Sequence, residues 1–221
     1  MGNFLKKIRQ IVFILLGCFP FHPAWGMDGT GFAFKASFSG KIYRNFSFMI
    51  EEDIRPRSDF HQMEWFLATG EINYRINRYL KSGAGYMSLC KYKASGELRN
   101  RYYVYATGNY PVGRFSFSIR ERFQSTYKKG SAHPKNYLRS MFNVSYKIGK
   151  SGFVPFAYVE LFNDTGYRGK MHTDRIRFSA GSDYRLNEHC ILQLYYRNHL
   201  YNAYDPVNYK QSFGLTYCYR F

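Results

Sequence analysis

Residues 212–221 read SFGLTYCYRF, and every second residue from Phe213 through Leu215, Tyr217 and Tyr219 to Phe221 is large and apolar, with Ser212, Gly214, Thr216, Cys218 and Arg220 in the gaps. Successive side chains of a strand point to opposite faces, so the segment predicts a strand with one apolar and one polar face. Something apolar has to cover the first.

The pattern recurs along the chain. In NRYYVYATGNYP, Tyr102, Val104, Ala106, Gly108 and Tyr110 oppose Arg101, Tyr103, Tyr105, Thr107 and Asn109. In YLRSMFNVSYKIG, Leu138, Phe142, Val144, Tyr146 and Ile148 oppose Arg139, Asn143, Ser145 and Lys147. In DRIRFSAGSDYRL, Ile176, Phe178, Ala180, Tyr184 and Leu186 oppose Arg175, Arg177, Ser179, Asp183 and Arg185. Short turns fall at 77–79, 111–113, 149–152 and 187–188, and longer polar connections near 55–61, 93–98, 128–136, 163–174 and 202–208. Short turns at one rim and long loops at the other describe an up-and-down antiparallel barrel of the transmembrane type. We count ten spanning strands from Asn45 to Phe221, with Gly31–Phe38 as a partial strand; ten is the expected number and twelve the alternative.

Composition agrees. The 221 residues include 22 Tyr, 21 Phe and 19 Gly but only 15 acids, a mixture suited to strands and turns. The start, MGNFLKKIRQIVFILLGCFPFHPAWG, has a basic head, an apolar run from Ile11 to Phe19 too short to span a bilayer, and Ala24-Trp25-Gly26 as a small-x-small cleavage site. Residues 1–26 read as a signal peptide and 27–221 as one barrel domain. A rival lipoprotein reading through Leu15-Leu16-Gly17-Cys18 fits poorly, because bulky Phe19 follows the cysteine. Removing Lys6, Lys7 and Arg9 with the leader leaves 29 cationic side chains against 15 acidic ones, a charge near +14. That surplus calls for anionic partners. Export sets nucleic acid aside and leaves lipid phosphate, lipopolysaccharide and anionic small molecules or glycans. Cys90, Cys190 and Cys218 remain after cleavage, and alternation puts Cys190 and Cys218 on opposite faces, so no bridge is expected.

Three segments superimpose, NFSFMIEEDI, RFSFSIRERF and FVPFAYVELF, which places Glu52, Glu121 and Glu160 at equivalent positions; ILQLYYRNHL fits with Asn198 in that slot. Strict alternation turns the three carboxylates outward with the aromatic residues. Two readings compete. In one they sit among lipid headgroups or are turned inward by a bulge to meet arginines; in the other they hold divalent cations that bridge to lipopolysaccharide phosphates.

The closing pattern, Phe213, Leu215, Tyr217, Tyr219 and Phe221, resembles the signal by which the outer-membrane insertion machinery recognises its clients. Across nearly the whole mature chain, FSFMIEEDIRPRSD, INRYLKSGAGY, LRNRYYVYA, RFSFSIRERF and VPFAYVELF resemble the Gram-negative outer-membrane family carried as domain of unknown function 2490. The resemblance implies an outer-membrane barrel and supplies no activity, cofactor or catalytic residue.

The polar faces carry Arg99, Arg101, Arg120, Arg122, Arg139, Arg175, Arg177 and Arg197, with Glu51, Asp53, Glu71 and Asp183 as the acids opposite them. About ten strands enclose little more than the side chains that fill them. The leading reading is therefore a narrow or plugged barrel, structural or binding, with an arginine-rich lumen. The alternative is a porin-like channel selective for small anions, since guanidinium forks bind carboxylate and phosphate. An outer-membrane hydrolase is a further alternative, with His172-Thr173-Asp174 and His199 as its only material and no Gly-x-Ser-x-Gly or HExxH motif in the chain. We expect no catalytic residues and no cofactor. Tyr79, Tyr110, Tyr137, Tyr167 and Tyr201 are expected in interfacial aromatic girdles, and Lys128, Lys129, Lys135, Arg168 and Lys170 at lipopolysaccharide phosphates.

Overall fold

Each alternating segment becomes a strand because its apolar parity can face one medium and its polar parity another. The computed structural model describes residues 30–56, 63–92, 96–166, 170–201 and 209–221. Its strands are β1 (Gly31–Tyr43), β2 (Phe46–Pro56), β3 (Met63–Arg75), β4 (Leu80–Lys91), β5 (Glu97–Val112), β6 (Phe115–Lys128), β7 (Lys135–Tyr146), β8 (Phe153–Asp164), β9 (His172–Arg185), β10 (Cys190–Tyr201) and β11 (Tyr209–Arg220). They form one closed barrel in which sequence neighbours pair antiparallel, as in Glu52 opposite Ala36 and Ala68.

The strand number corrects the expectation of ten or twelve. The described residues make eleven, because Gly31–Phe38 is no partial strand: it continues to Tyr43 and completes the wall. With an odd number of up-and-down strands, the first and last run in the same direction. β1 and β11 accordingly close the barrel in parallel, from Gly31 opposite Ser212 to Ser39 opposite Arg220. Closure satisfies two strand edges that would otherwise expose unpaired backbone groups. It also sets the beginning of β1 at the long-loop rim, while Phe221 lies at the short-turn rim.

The outward face is apolar and open. Phe34, Ile50, Val104, Ile119, Phe142, Phe178 and Leu194 are each more than 40% exposed, which only an apolar surrounding explains for side chains repeated this regularly. Among the described residues no Lys or Arg occupies an outward strand position. Near the short turns the aromatic rings pair across strands, with centroids 4.8 Å apart for Phe46 and Tyr74, 4.8 Å for Phe115 and Tyr146, and 4.5 Å for Phe153 and Tyr184. Such a ring of aromatics marks one interface. Tyr79 and Tyr110 belong to it, 6.0 Å apart. Tyr137 does not: it is buried inside the wall, with its hydroxyl on Asp174. Tyr201 stacks on inward His199. Tyr167 and Arg168 lie outside the described residues, as do the leader and the cleavage site.

Large side chains line the inside. Gln124, Glu160 and Phe162 are fully buried. Three tyrosine rings lie against the wall where a neighbouring strand has no side chain: Tyr105 crosses Gly83, Tyr103 crosses Gly85 and Tyr195 crosses Gly214, so that a Cβ at any of these glycines would collide with the ring. Cys90, Cys190 and Cys218 are free thiols; Cys190 lies outward beside the Tyr217 hydroxyl at 3.3 Å, and Cys218 is of inward parity.

Candidate functional site

Because inward residues on adjacent strands meet side by side, register decides which charges become neighbours. Glu160 on β8 pairs with Met141 on β7 and Arg177 on β9, and Phe162 pairs with Arg139 and Arg175. Glu160 is the electrostatic anchor that results. One carboxylate oxygen accepts from Arg139 Nη2 at 2.7 Å, Arg139 Nε at 3.1 Å and Arg120 Nη2 at 3.3 Å; the other accepts from Arg177 Nη1 at 2.9 Å. A buried carboxylate is tolerated only with such pairing. Beside it, the Phe162 ring has the guanidinium carbons of Arg175, Arg139 and Arg177 at 3.7, 4.4 and 4.8 Å from its centroid, within the range of cation–π attraction.

This geometry corrects the outward placement of Glu160. Glu52 and Glu121 do face outward, the latter accepting from Ser140 Oγ at 2.8 Å, but Glu160 points into the lumen, so the three carboxylates share no surface and form no belt. The cause lies in β8: Phe153, Pro155, Ala157, Val159 and Leu161 take the outward parity, and Phe156, Tyr158, Glu160 and Phe162 the inward one. Both parities are apolar enough to face either way. The acid decides the phase, because inside it has three guanidiniums and outside none. Among the described residues no group of three or more His, Cys, Asp or Glu side chains is placed to hold a metal ion.

The other inner acids are spent as well. Asp53 accepts from Arg55 Nη2 at 2.6 Å and from its Nε at 3.0 and 3.2 Å, and lies 3.4 Å from Lys35, which also reaches Glu51 at 2.9 Å. Glu71 accepts from the Tyr103 and Tyr105 hydroxyls at 2.9 and 2.7 Å. Asp183 accepts from Gln193 Nε2 at 2.7 Å.

All eight arginines predicted from the sequence face the interior. Arg120, Arg139 and Arg177 share Glu160, and Arg99 pairs with Glu97 at the long-loop rim. Arg101, Arg122, Arg175 and Arg197 have no carboxylate partner among the described residues. Arg101 donates to Thr126 Oγ1 at 3.0 Å and faces Arg175, Arg55 and Arg177 electrostatically. Arg122 lies 3.4 Å over the Tyr103 ring with Nε and Nη2 buried and unbonded. Arg197 donates to the Tyr158 hydroxyl at 3.1 Å, and its Nε, like that of Arg175, has no acceptor. Guanidinium is a donor only. Three of the four, Arg122, Arg175 and Arg197, are stacked on aromatic rings and carry a buried donor nitrogen without an acceptor, an arrangement suited to planar oxyanions.

Sequence reasoning missed Lys35 and Arg55 as part of this lining and the aromatic supports Phe162, Tyr195 and Tyr201; the inward parity of Arg55 beside Asp53 was the available signal for one of them. His172 is exposed, Asp174 is held by Tyr137, and His199 is buried with Nδ1 unbonded, so His172 and Asp174 form no pair with it. Phe213, Leu215, Tyr217, Tyr219 and Phe221 all take the outward parity of β11.

Residues 30–210 match the family described as protein of unknown function (DUF2490). Among solved structures, the NanC porin is similar with a TM-score of 0.55 at 15% identity, over 86% of this chain and 97% of that one. OmpT of Vibrio cholerae gives a TM-score of 0.43 at 12% identity, over 72% of this chain and 51% of its own. An anion-selective porin from Comamonas acidovorans gives 0.39 at 11% identity, over 74% and 47%. The chain thus spans about half the length of those two proteins. No curated protein matches in sequence.

Proposed function

We propose a function from one premise: the chain belongs to the DUF2490 family, proteins of unknown function, and folds as a porin-like barrel. The protein is an outer-membrane barrel, inserted with its aromatic-rimmed apolar face in lipid and its long loops outside. Its lumen is narrow, closed down by its own side chains, and binds small anions bearing carboxylate, phosphate or sulfate groups. The observation that carries this reading is the set of four interior arginines, Arg101, Arg122, Arg175 and Arg197, which form no ion pair among the described residues, three of them (Arg122, Arg175 and Arg197) with a buried nitrogen that has no acceptor. Burying cations without counter-ions is costly, so the interior is poised to take anions from solution.

The test is conductance of the refolded protein in a planar bilayer under asymmetric salt, with phosphate or citrate added to one side. We expect currents that are small, reverse on the anion side and are blocked by the multivalent anion. Cation selectivity, or a wide current indifferent to these anions, contradicts the reading. A second reading, steady anion conduction, draws on the same arginines and corresponds to anion-selective current without block.

A further inference from the structure

The short-turn rim carries a charge pattern that the lumen does not explain. Four of the five hairpin turns hold a cation in the turn itself, namely Arg44, Arg78, Arg114 and Lys150, and the fifth is headed by Arg185. Glu188 is the one acid in these turns. Turn chemistry does not ask for this. Arg44 adopts φ of 44°, a left-handed conformation that Gly or Asn reaches at less cost. Immediately towards the membrane from these cations stands the aromatic ring of Phe46, Tyr74, Phe115, Tyr146, Phe153 and Tyr184. Aromatic girdles settle at the boundary between acyl chains and headgroups, so the cations stand at phosphate depth.

One place in this collar is a formed cleft. Between the β7–β8 and β9–β10 turns lies a space of about 480 Å³ lined by Lys150 and by Lys147 and Arg185, exposed residues at the mouth that continue the inward parity of β7 and β9, with Ser151, Asn187 and Glu188 on its walls. The two turns are fastened together by the backbone: Arg185 N donates to Gly152 O at 2.9 Å, and a Cβ on Gly152 would come within 2.8 Å of the Arg185 carbonyl. No ion pair engages the three cations among the described residues, so three positive charges face one acid.

We propose that this rim docks on anionic phospholipid, and that the cleft seats one phosphate headgroup between Lys147, Lys150 and Arg185. Basic residues at the headgroup layer attract anionic lipid, and the attraction falls off within a Debye length. The proposal rests on the membrane-barrel reading. The two fail separately: a chain that inserts into no lipid at all removes the barrel reading, whereas one that inserts but ignores headgroup charge removes only this one.

The experiment compares the midpoint of heat-induced loss of the folded gel mobility in vesicles of phosphatidylcholine and in the same vesicles with phosphatidylglycerol mixed in. For the unaltered protein we expect phosphatidylglycerol to raise the midpoint by about 3 °C or more, and salt to shrink the rise. The triple substitution Lys147→Ala, Lys150→Ala, Arg185→Ala should cut the rise by half or more. Should the triple variant not fold, Lys150→Glu, at an exposed turn position, should cut it as well. Substituting Lys129→Ala and Lys170→Ala, on the opposite loops, should cut it by less than the cleft substitutions do. The proposal is overturned by no rise in the unaltered protein, by an equal rise in the cleft variants, by an equal loss in the loop variant, or by inorganic phosphate in phosphatidylcholine reproducing the whole effect.

Discussion

Glu160 shows how one side chain fixes the surroundings of many. Among the described residues it is the only acid contacting Arg120, Arg139 and Arg177, and it is almost wholly enclosed. Glu160→Gln leaves those cations with a neutral neighbour, and loss of one member of a buried ion pair typically costs about 3–5 kcal/mol. We expect the midpoint of heat-induced unfolding to fall markedly in gel-mobility assays, and an unchanged midpoint would show that the guanidiniums are solvated instead. Gly214 presents the converse case, a site where an atom must be missing. Gly214→Ala pushes a methyl group into the Tyr195 ring, and overpacking of this kind costs about 1–3 kcal/mol. Adding Tyr195→Ala should recover part of that loss, since it removes the obstructing ring; a double variant no more stable than Gly214→Ala alone would place the cause elsewhere.

At the level of the strand, the closing pair is the most exposed to test. Ser37 on β1 lies opposite Cys218 on β11, both of inward parity. Ser37→Cys should therefore form an oxidative or short bis-thiol cross-link with the native thiol, seen as a changed mobility that reductant reverses. A barrel closed by β2 against β11 would give none. Most strands were legible beforehand because one parity holds charge and the other does not, as in Arg175, Arg177 and Asp183 against Ile176, Phe178 and Tyr184. β8 was not, because aromatic residues occur on both of its parities and its Glu160 was matched to the acids of β2 and β6. β1 was half legible: GFAFKASF alternates, but SGKIY lacks a run of large apolar residues to extend it. The arginine lining could be read strand by strand. Its division into paired and unpaired members could not, since that depends on which residues register sets side by side.

The whole molecule separates its surfaces by charge: an outward wall without Lys or Arg, a cationic interior and a basic collar. If the unpaired interior arginines set the preference for anions, Arg175→Ala with Arg197→Ala should move the reversal potential towards zero and weaken block by phosphate, while the barrel still folds. Unaltered selectivity in that variant would assign the preference to the collar or the loops. Raising ionic strength should weaken the contribution of the exposed rim more than that of the enclosed arginines, because screening acts chiefly on solvated charge.

Parallel closure carries one more consequence. A reporter spliced directly ahead of Gly31 and another appended after Phe221 would emerge at opposite rims of the wall, so on the membrane reading proposed above a single polypeptide presents one epitope on each side of the bilayer, which a barrel with an even number of staves does not permit.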